Sequence, residues 1–212
     1  MRIVKEAEER KNEILDVAEE LFATKGFDKT STGEILERVG IARGTLYYHF
    51  NSKEEILDGV IQRIVDKGMA EAAKVAENPN LTVTEKMTMS VLALNVDSGI
   101  GDEVMKQVHR PQNALMHQKM RDNLLKGIIP IITKITEEGI QQGFFQTDYP
   151  KEAAEMIMIY SHVAFDDIYE QEGEEQMLKR VQGFIYHTER ILGAKPGSLQ
   201  EPLMKIFHKE MP

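Results

Sequence analysis

Apolar residues recur every three or four positions along nearly the whole chain, and the alternation of apolar and polar residues typical of strands is absent. This spacing matches the period of an α-helix. It predicts an all-α protein whose first four helices occupy about residues 8–25, 33–39, 43–50 and 53–77. We expect the apolar side chains of the first three helices to form a core: Ile14, Leu21, Phe22, Ile35, Leu46 and Phe50.

Glycine and proline mark the ends of these helices. Gly26 and Gly40 follow the first two, and the run Asn78-Pro79-Asn80 is the clearest break in the middle of the chain. Further helices are expected at about 82–97, 102–108, 111–142, 151–171, 174–192 and 198–209. Pro130 lies inside the third of these, where its missing N–H and its ring predict a kink or a break.

The composition is that of an ordinary globular chain of 212 residues, with 42% hydrophobic and 29% charged residues. No stretch approaches the roughly 18–20 consecutive apolar residues of a membrane span. The first residues, MRIVKEAEERK, are charged where a signal peptide would be apolar. We therefore expect a cytoplasmic protein with no membrane partner. The absence of cysteine excludes disulfides and thiolate metal sites.

Two of the short predicted helices, 33–39 and 43–50, are joined by a turn that contains Gly40. Two helices joined by such a turn are typical of a helix-turn-helix motif. In that motif the second helix lies in the major groove of DNA, and its N-terminal residues meet the base edges. The sequence therefore predicts an N-terminal three-helix helix-turn-helix domain over residues 1–55 and a larger helical domain over residues 56–212.

The second helix of the motif carries side chains suited to each kind of DNA contact. Arg43 can pair with O6 and N7 of guanine. Gly44 lets the backbone come close to the DNA, and Thr45 offers a hydroxyl to a phosphate or a methyl group to thymine. The other polar or aromatic residues that can reach DNA are Tyr47, Tyr48, His49 and Lys53. A three-helix bundle without a DNA role would explain the apolar spacing, but it would not explain this polar cluster.

The net charge of −9 does not contradict this prediction. DNA responds to charge within about one Debye length, ~8–10 Å. Residues 25–53 are mildly basic, with Lys25, Lys29, Arg38, Arg43 and Lys53 against Asp28, Glu34 and Glu37. Acidic residues elsewhere limit non-specific binding rather than specific binding.

The sequence ILDVAEELFATKGFDKTS from Ile14 to Ser31 and the sequence GIARGTLYYHFNSKEEIL from Gly40 to Leu57 closely resemble the signature of the tetracycline-repressor (TetR) family of bacterial regulators. The resemblance covers about the first sixty residues. It implies that Thr32 touches a phosphate and that Arg43, Gly44 and Tyr47 face bases. It also implies that the residues gripping the DNA backbone are Thr45, Tyr48, His49 and Lys53.

This sequence departs from the family pattern at two positions. Gly33 stands where family members often place a side chain that reads a base, and Ala42 stands where many have a capping serine. The first departure is expected to reduce the number of bases that side chains of this motif read. The second is expected to cost one helix cap, about 1 kcal/mol.

The resemblance implies that the second domain binds an effector and forms a homodimer. Its many methionines suit either a gap-filling core or a pliable pocket for a hydrophobic small molecule. The candidate pocket residues are Met89, Leu92, Met105, Met116, Met120, Phe144, Tyr160 and Phe165. The last two long helices carry wide apolar stripes, and the candidate dimer residues on them are Met156, Tyr160, Val163, Val181, Phe184, Ile185, Thr188 and Ile191.

His162 and Asp166 lie four residues apart and therefore share one helix face. Such a pair is more often packed or exposed than metal-binding, so we expect no metal site and no cofactor. Catalytic motifs such as a zinc-protease helix, a phosphate-binding glycine loop or a nucleophile elbow are absent, and we expect no enzyme activity.

The sequence therefore favours a repressor that a small-molecule effector releases from double-stranded operator DNA. Two alternatives stay open. One is a regulator of the same fold that acts as an activator or needs a corepressor. The other is an all-helical small-molecule-binding protein whose N-terminal bundle does not bind DNA.

Overall fold

The computed structural model describes residues 2–94, 114–165 and 173–207. The described residues form helices separated by turns, without strands. The helices are α1 (Arg2–Lys25), α2 (Thr32–Val39), α3 (Arg43–His49), α4 (Lys53–Glu77), α5 (Val83–Leu92), α6 (Ala114–Gln141), α7 (Pro150–Ala164), α8 (Glu174–Ile191) and α9 (Gln200–Phe207). The all-α prediction is confirmed. The predicted helix at 102–108 lies outside the described residues.

The described residues divide into two compact units. The first contains the residues up to Lys67 together with 114–121, and the second contains Gly68 to Leu94 and the residues from Asp122 onwards. α4 contributes residues to both units. The domain boundary at residue 55 remains a prediction. In the structure the part of α4 up to Lys67 belongs to the first unit.

The core of the first unit contains the six apolar side chains expected from the sequence. Ile14 and Ile35 are fully buried, and none of the six exceeds 4% exposure. Ile56, Leu57 and Val60 of α4 are also fully buried. Burial of such side chains is the main favourable term in folding. The spacing that predicted the helices therefore also identified the faces that pack together.

The core of the second unit is built from α5, α6, α7, α8 and α9 with the end of α4. One buried acidic residue, Glu189, has a clear structural role there. Its two carboxylate oxygens accept hydrogen bonds from the backbone N–H groups of Gly197 and Leu199, both at 2.9 Å. These bonds fix the turn that leads into α9.

α6 continues through Pro130, so of the kink or break predicted there the break is wrong. The side chains on both sides of the proline, Ile128 and Ile132, are each 1% exposed. Packing of these residues in the core outweighs the roughly 3 kcal/mol that an interior proline costs a helix. Among the described residues, no helix is both long and apolar enough to cross a lipid bilayer.

Candidate DNA-binding surface

α2 is held at both ends by local hydrogen bonds. The hydroxyl oxygen of Ser31 accepts from the backbone N–H of Glu34 at 3.2 Å and caps the N-terminus. At the other end Gly40 adopts a left-handed backbone, with φ of 74°, and its N–H donates to the carbonyl of Leu36 at 2.9 Å. A residue with a side chain rarely adopts this conformation, so glycine sets the sharp turn between α2 and α3.

α3 begins after Ala42, which provides no side-chain cap. α3 therefore lacks one N-terminal cap, as expected from the sequence, and bears the cost of that missing cap. The helix is anchored instead from within, because Leu46 is 1% exposed and Phe50, just after the helix, is 3% exposed. These two side chains fix which face of α3 points outward.

The outward face of α3 contains the residues expected to read bases. Arg43, Gly44 and Tyr47 are exposed. The guanidinium carbon of Arg43 lies 5.4 Å from the centre of the Tyr47 ring, which is cation–π distance. A Cβ added at Gly44 would meet no atom within 4 Å. The surface around Gly44 is therefore open to a close partner.

The residues expected to contact the DNA backbone differ from one another in exposure and in bonding. Tyr48 is 77% exposed, and its ring packs edge to face on His49 with centres 4.9 Å apart. Thr32, Thr45 and His49 are half-buried. The amine of Lys53 donates to the carbonyl oxygens of Phe27 and Thr30 within the first unit.

Several acidic residues of the first unit are neutralised by neighbouring cations. Lys25 forms an ion pair with Glu34, and Arg38 forms one with Glu20. The hydrogen bond from Lys25 is the main reason why the pKa of Glu34 lies below its ordinary value. Arg63 of α4 bonds Asp16 at 2.6 Å and also Glu19 of α1. This pairing leaves Arg43 of α3 as an exposed cation on the reading face.

The candidate pocket residues occupy different environments. Met89 and Phe144 are each 43% exposed, whereas Leu92 and Phe165 are half-buried. Met120, 5% exposed, belongs to the first unit rather than the second. Met105 lies outside the described residues, and only the backbone of Met116 is described. Tyr160 is 52% exposed and stacks on Phe184, with ring centres 6.0 Å apart.

The candidate dimer residues divide between surface and interior. Met156, Tyr160 and Val163 of α7 are 59%, 52% and 45% exposed. Four residues of α8 lie instead in the core of the chain itself, none above 7% exposure, and are therefore not free to meet a partner: Val181, Phe184, Ile185 and Thr188. Ile191 is half-buried. The sequence suggested these four for the dimer interface because one apolar stripe cannot by itself tell a core face from a partner face.

Three exposed large apolar residues within α7 and α8 were not among the candidates. They are Ile159, 47% exposed, Tyr186, 50% exposed, and Leu178, 37% exposed. Residues 156, 159, 160 and 163 follow the spacing i, i+3, i+4 and i+7, which defines one helix face. That spacing was the signal that would have identified Ile159.

The described residues contain no group of three or more histidine, cysteine or carboxylate side chains that could hold a metal. Asp166, the suggested partner of His162, lies outside the described residues.

A short helix anchored from within, with an exposed polar face and a glycine turn before it, has the geometry of a DNA-reading helix-turn-helix. Comparison with known proteins agrees. Residues 14–60 match the family model described as bacterial regulatory proteins of the tetR family. Residues 95–186 match the model described as the tetracyclin repressor-like C-terminal domain.

Individual relatives are more distant. The transcriptional repressor KstR2 of Rhodococcus jostii is 27% identical over 154 residues, which is 68% of this chain and 72% of that protein. The fatty acid metabolism regulator protein of Bacillus subtilis is 28% identical over 62% of this chain and 68% of that protein. The crystal structure of a TetR-family regulator from Pectobacterium atrosepticum has a TM-score of 0.63 at 18% identity, covering 91% of this chain and 97% of that one.

The two family models together span more than half of the sequence, and the chain belongs to the TetR family of bacterial regulatory proteins. It is a DNA-binding transcriptional regulator of all-α fold.

Proposed function

We propose that this protein represses transcription by binding double-stranded operator DNA as a homodimer, and that a small hydrophobic effector releases it. The observation that carries the proposal is the outward face of α3. Arg43, Gly44 and Tyr47 are exposed there while Leu46 is buried, so the helix presents its polar face to a partner. The proposal places the protein in the cytoplasm with the DNA and assigns it no catalytic step.

In the complex, Arg43 pairs with a guanine in the major groove, and Tyr47 contacts the neighbouring base. Gly44 allows the start of α3 to come close to the groove, because nothing projects from that position. Thr32, Thr45, Tyr48 and His49 surround this face and contact phosphates, which set the register of the helix on the duplex.

Dimerisation follows from the need to read two half-sites. Two reading helices must lie about 34–36 Å apart to meet successive major grooves. The exposed stripe of α7, formed by Met156, Ile159, Tyr160 and Val163, is an apolar surface that a second copy can cover. We define these four residues as the α7 stripe. Leu178 and Tyr186 of α8 supply further exposed apolar surface.

The effector binds in the second unit. The relatives named as a transcriptional repressor and as a fatty acid metabolism regulator support repression and an apolar effector. Leu92 and Phe165 are the candidate contacts that are half-buried, neither exposed on the surface nor wholly inside the core. α4 has residues in both units. If the effector binds better when α4 is in one position, and DNA binds better when α4 is in a different position, then effector binding lowers operator affinity.

The test is binding of the full-length protein to the DNA upstream of its own gene and to scrambled DNA, at two salt concentrations. The variant Arg43→Ala is measured beside it. Arg10→Ala is the matched control, because it removes the same charge from a half-buried residue of α1, where Arg10 pairs with Glu13. We expect the upstream DNA to be preferred and Arg43→Ala to lose about 1–3 kcal/mol of that preference. Equal weakening by both variants would overturn the assigned role of Arg43.

A further inference from the structure

We propose that Lys53 is a positioning residue, which sets the start of α2 through the turn between α1 and α2. The proposal rests on operator binding as the proposed function. It assigns the lysine a role within the protein, beyond the phosphate contact that the family resemblance implied. The reason lies in the bonds that the amine already makes inside the protein.

The Lys53 amine is engaged on three sides. It donates to the carbonyl oxygen of Phe27 at 2.8 Å and to that of Thr30 at 3.0 Å. It also lies 4.1 Å from the centre of the Phe27 ring, which is cation–π distance. An ammonium group has three N–H donors, so two of them are already used by carbonyl oxygens. The amine is therefore held at this turn whether or not its third N–H meets a phosphate.

The site itself is rigid. The Phe27 ring is 7% exposed and packs edge to face on Phe22 of α1, with centres 5.2 Å apart. Thr30 is 1% exposed, and its hydroxyl donates to the carbonyl of Gly26 at 2.9 Å. Its backbone N–H donates to the carbonyl of Phe27 at 3.2 Å. The lysine therefore closes a turn that is already buried and hydrogen-bonded.

The turn determines where α2 begins. Thr30 is followed at once by Ser31, which caps α2, and by Thr32, the first residue of the helix. Lys53 is the first residue of α4. One side chain thus ties the start of α4 to the residue before the α2 cap. Because α2 leads directly through Gly40 into α3, loss of this tie changes how the pair is presented to DNA.

A positioning role and a phosphate contact predict different measurements. Loss of a phosphate contact weakens binding to operator DNA and to scrambled DNA by the same factor. It also lowers the magnitude of the slope of log affinity against log salt by about 0.9. A positioning role reduces mainly the preference for the operator, because base contacts depend on the orientation of α3. It also loosens the turn in the absence of DNA. If Lys53 only stabilised the fold, the folded variant would keep the wild-type preference for operator over scrambled DNA.

The experiment compares full-length wild type with Lys53→Met and Lys29→Met. Methionine keeps most of the apolar stem and removes the charge. Lys29 is exposed in the same turn, so its variant is a matched control for charge. Operator and scrambled DNA affinities are measured over a range of salt at a temperature where all three proteins are folded. Amide exchange of Thr30 is measured without DNA.

We expect Lys53→Met to lower the ratio of operator to scrambled affinity by about tenfold, the loss of one good base contact. The Thr30 amide should exchange several-fold faster than in wild type or Lys29→Met. Equal loss on both DNAs with a lower salt slope and unchanged exchange would overturn the proposal in favour of a phosphate contact. Faster exchange with an unchanged ratio would overturn it in favour of stability alone. If wild type showed no operator preference, the proposed function would fail, and the exchange result would still test the tie.

Discussion

The guanidinium of Arg43 lies over the ring of Tyr47, one turn further along α3, with 5.4 Å between the guanidinium carbon and the ring centre. Both residues are exposed, so no core contact holds them together. The ring restricts where the guanidinium can point before DNA is bound. A side chain held in its bound direction loses less conformational entropy on binding.

This relationship predicts that Tyr47→Phe and Tyr47→Ala behave differently. Phenylalanine keeps the ring under Arg43, whereas alanine removes it. We expect Tyr47→Ala to lose about 0.5–1 kcal/mol more operator affinity than Tyr47→Phe, the usual strength of an exposed cation–π contact. Fluorescence anisotropy with labelled operator measures both.

As a control, Arg43→Ala is combined with Tyr47→Phe in one protein and with Tyr47→Ala in another. Without the arginine, the difference between phenylalanine and alanine at position 47 should shrink. A difference that stays the same without Arg43 would mean that the ring acts on DNA directly and not through the arginine.

Gly44 and Gly33 offer a matched pair. Each is the second residue of its helix, neither has a positive φ, and an added Cβ meets nothing closer than 3.7 Å. Alanine should therefore fold at both positions and add up to about 1 kcal/mol of stability. If α3 lies close to the groove, Gly44→Ala should weaken operator binding. Gly33→Ala should not, because position 33 is one where TetR-family members often have a side chain.

Thermal unfolding and operator titration of the two variants settle this point. We expect similar melting temperatures and a weaker operator complex for Gly44→Ala only. A Gly44→Ala protein that binds operator as tightly as wild type would show that the backbone of α3 does not approach the DNA at this position.

The helix-turn-helix could be predicted from the sequence because its signals are local. Gly40 marks the turn, and Leu46 and Phe50 mark the inner face by their spacing alone. The tie from Lys53 to Phe27 and Thr30 joins residues more than twenty positions apart. No periodic pattern encodes such a contact, so the sequence suggested only that a lysine there would reach DNA.

The same reasoning applies to the apolar stripes of the second unit. α8 has one apolar stripe, and its spacing does not say whether the stripe faces the core or a partner. α7 has an inner face, which includes Ile157, and an outer face, the α7 stripe. Only the packing of other helices decides between the two. The unbroken helix at Pro130 depends on packing in the same way.

The α7 stripe predicts how to make the protein monomeric. Ile159→Glu places a charge in the centre of the stripe, and because Ile159 is 47% exposed the protomer should still fold. An unpaired charge in a covered interface costs about 3 kcal/mol or more, so the dimer dissociation constant should rise about 100-fold or more. Sedimentation equilibrium measures it.

Lys151→Glu is the control for Ile159→Glu, since it adds negative charge to an exposed polar position of α7. It should leave the dimer intact. Operator affinity should fall with the dimer in Ile159→Glu and not in the control. A dimer of unchanged strength in Ile159→Glu would show that a second copy does not cover the α7 stripe.

A buried ion pair in the second unit predicts an asymmetric cost. The amine of Lys86 in α5 donates to both carboxylate oxygens of Glu138 in α6, at 2.8 and 2.7 Å. The lysine side chain is 6% exposed and the glutamate side chain 30% exposed. Glu138→Met leaves a cation that cannot reach water, whereas Lys86→Met leaves a carboxylate that can be partly hydrated. The first change should therefore cost more stability than the second.

For Glu138→Met we expect a loss of about 2–3 kcal/mol, below the value for a fully buried pair because Glu138 is partly solvated. The double variant Lys86→Met, Glu138→Met should be more stable than Glu138→Met alone, because no charge is then stranded. Urea unfolding of the four proteins forms a double-mutant cycle. Equal costs for the two single variants would contradict the stranded-cation explanation. This pair joins two helices of the second unit, so its loss weakens packing in that unit and not in the first. A variant that still folds should therefore bind operator normally but respond differently to the effector.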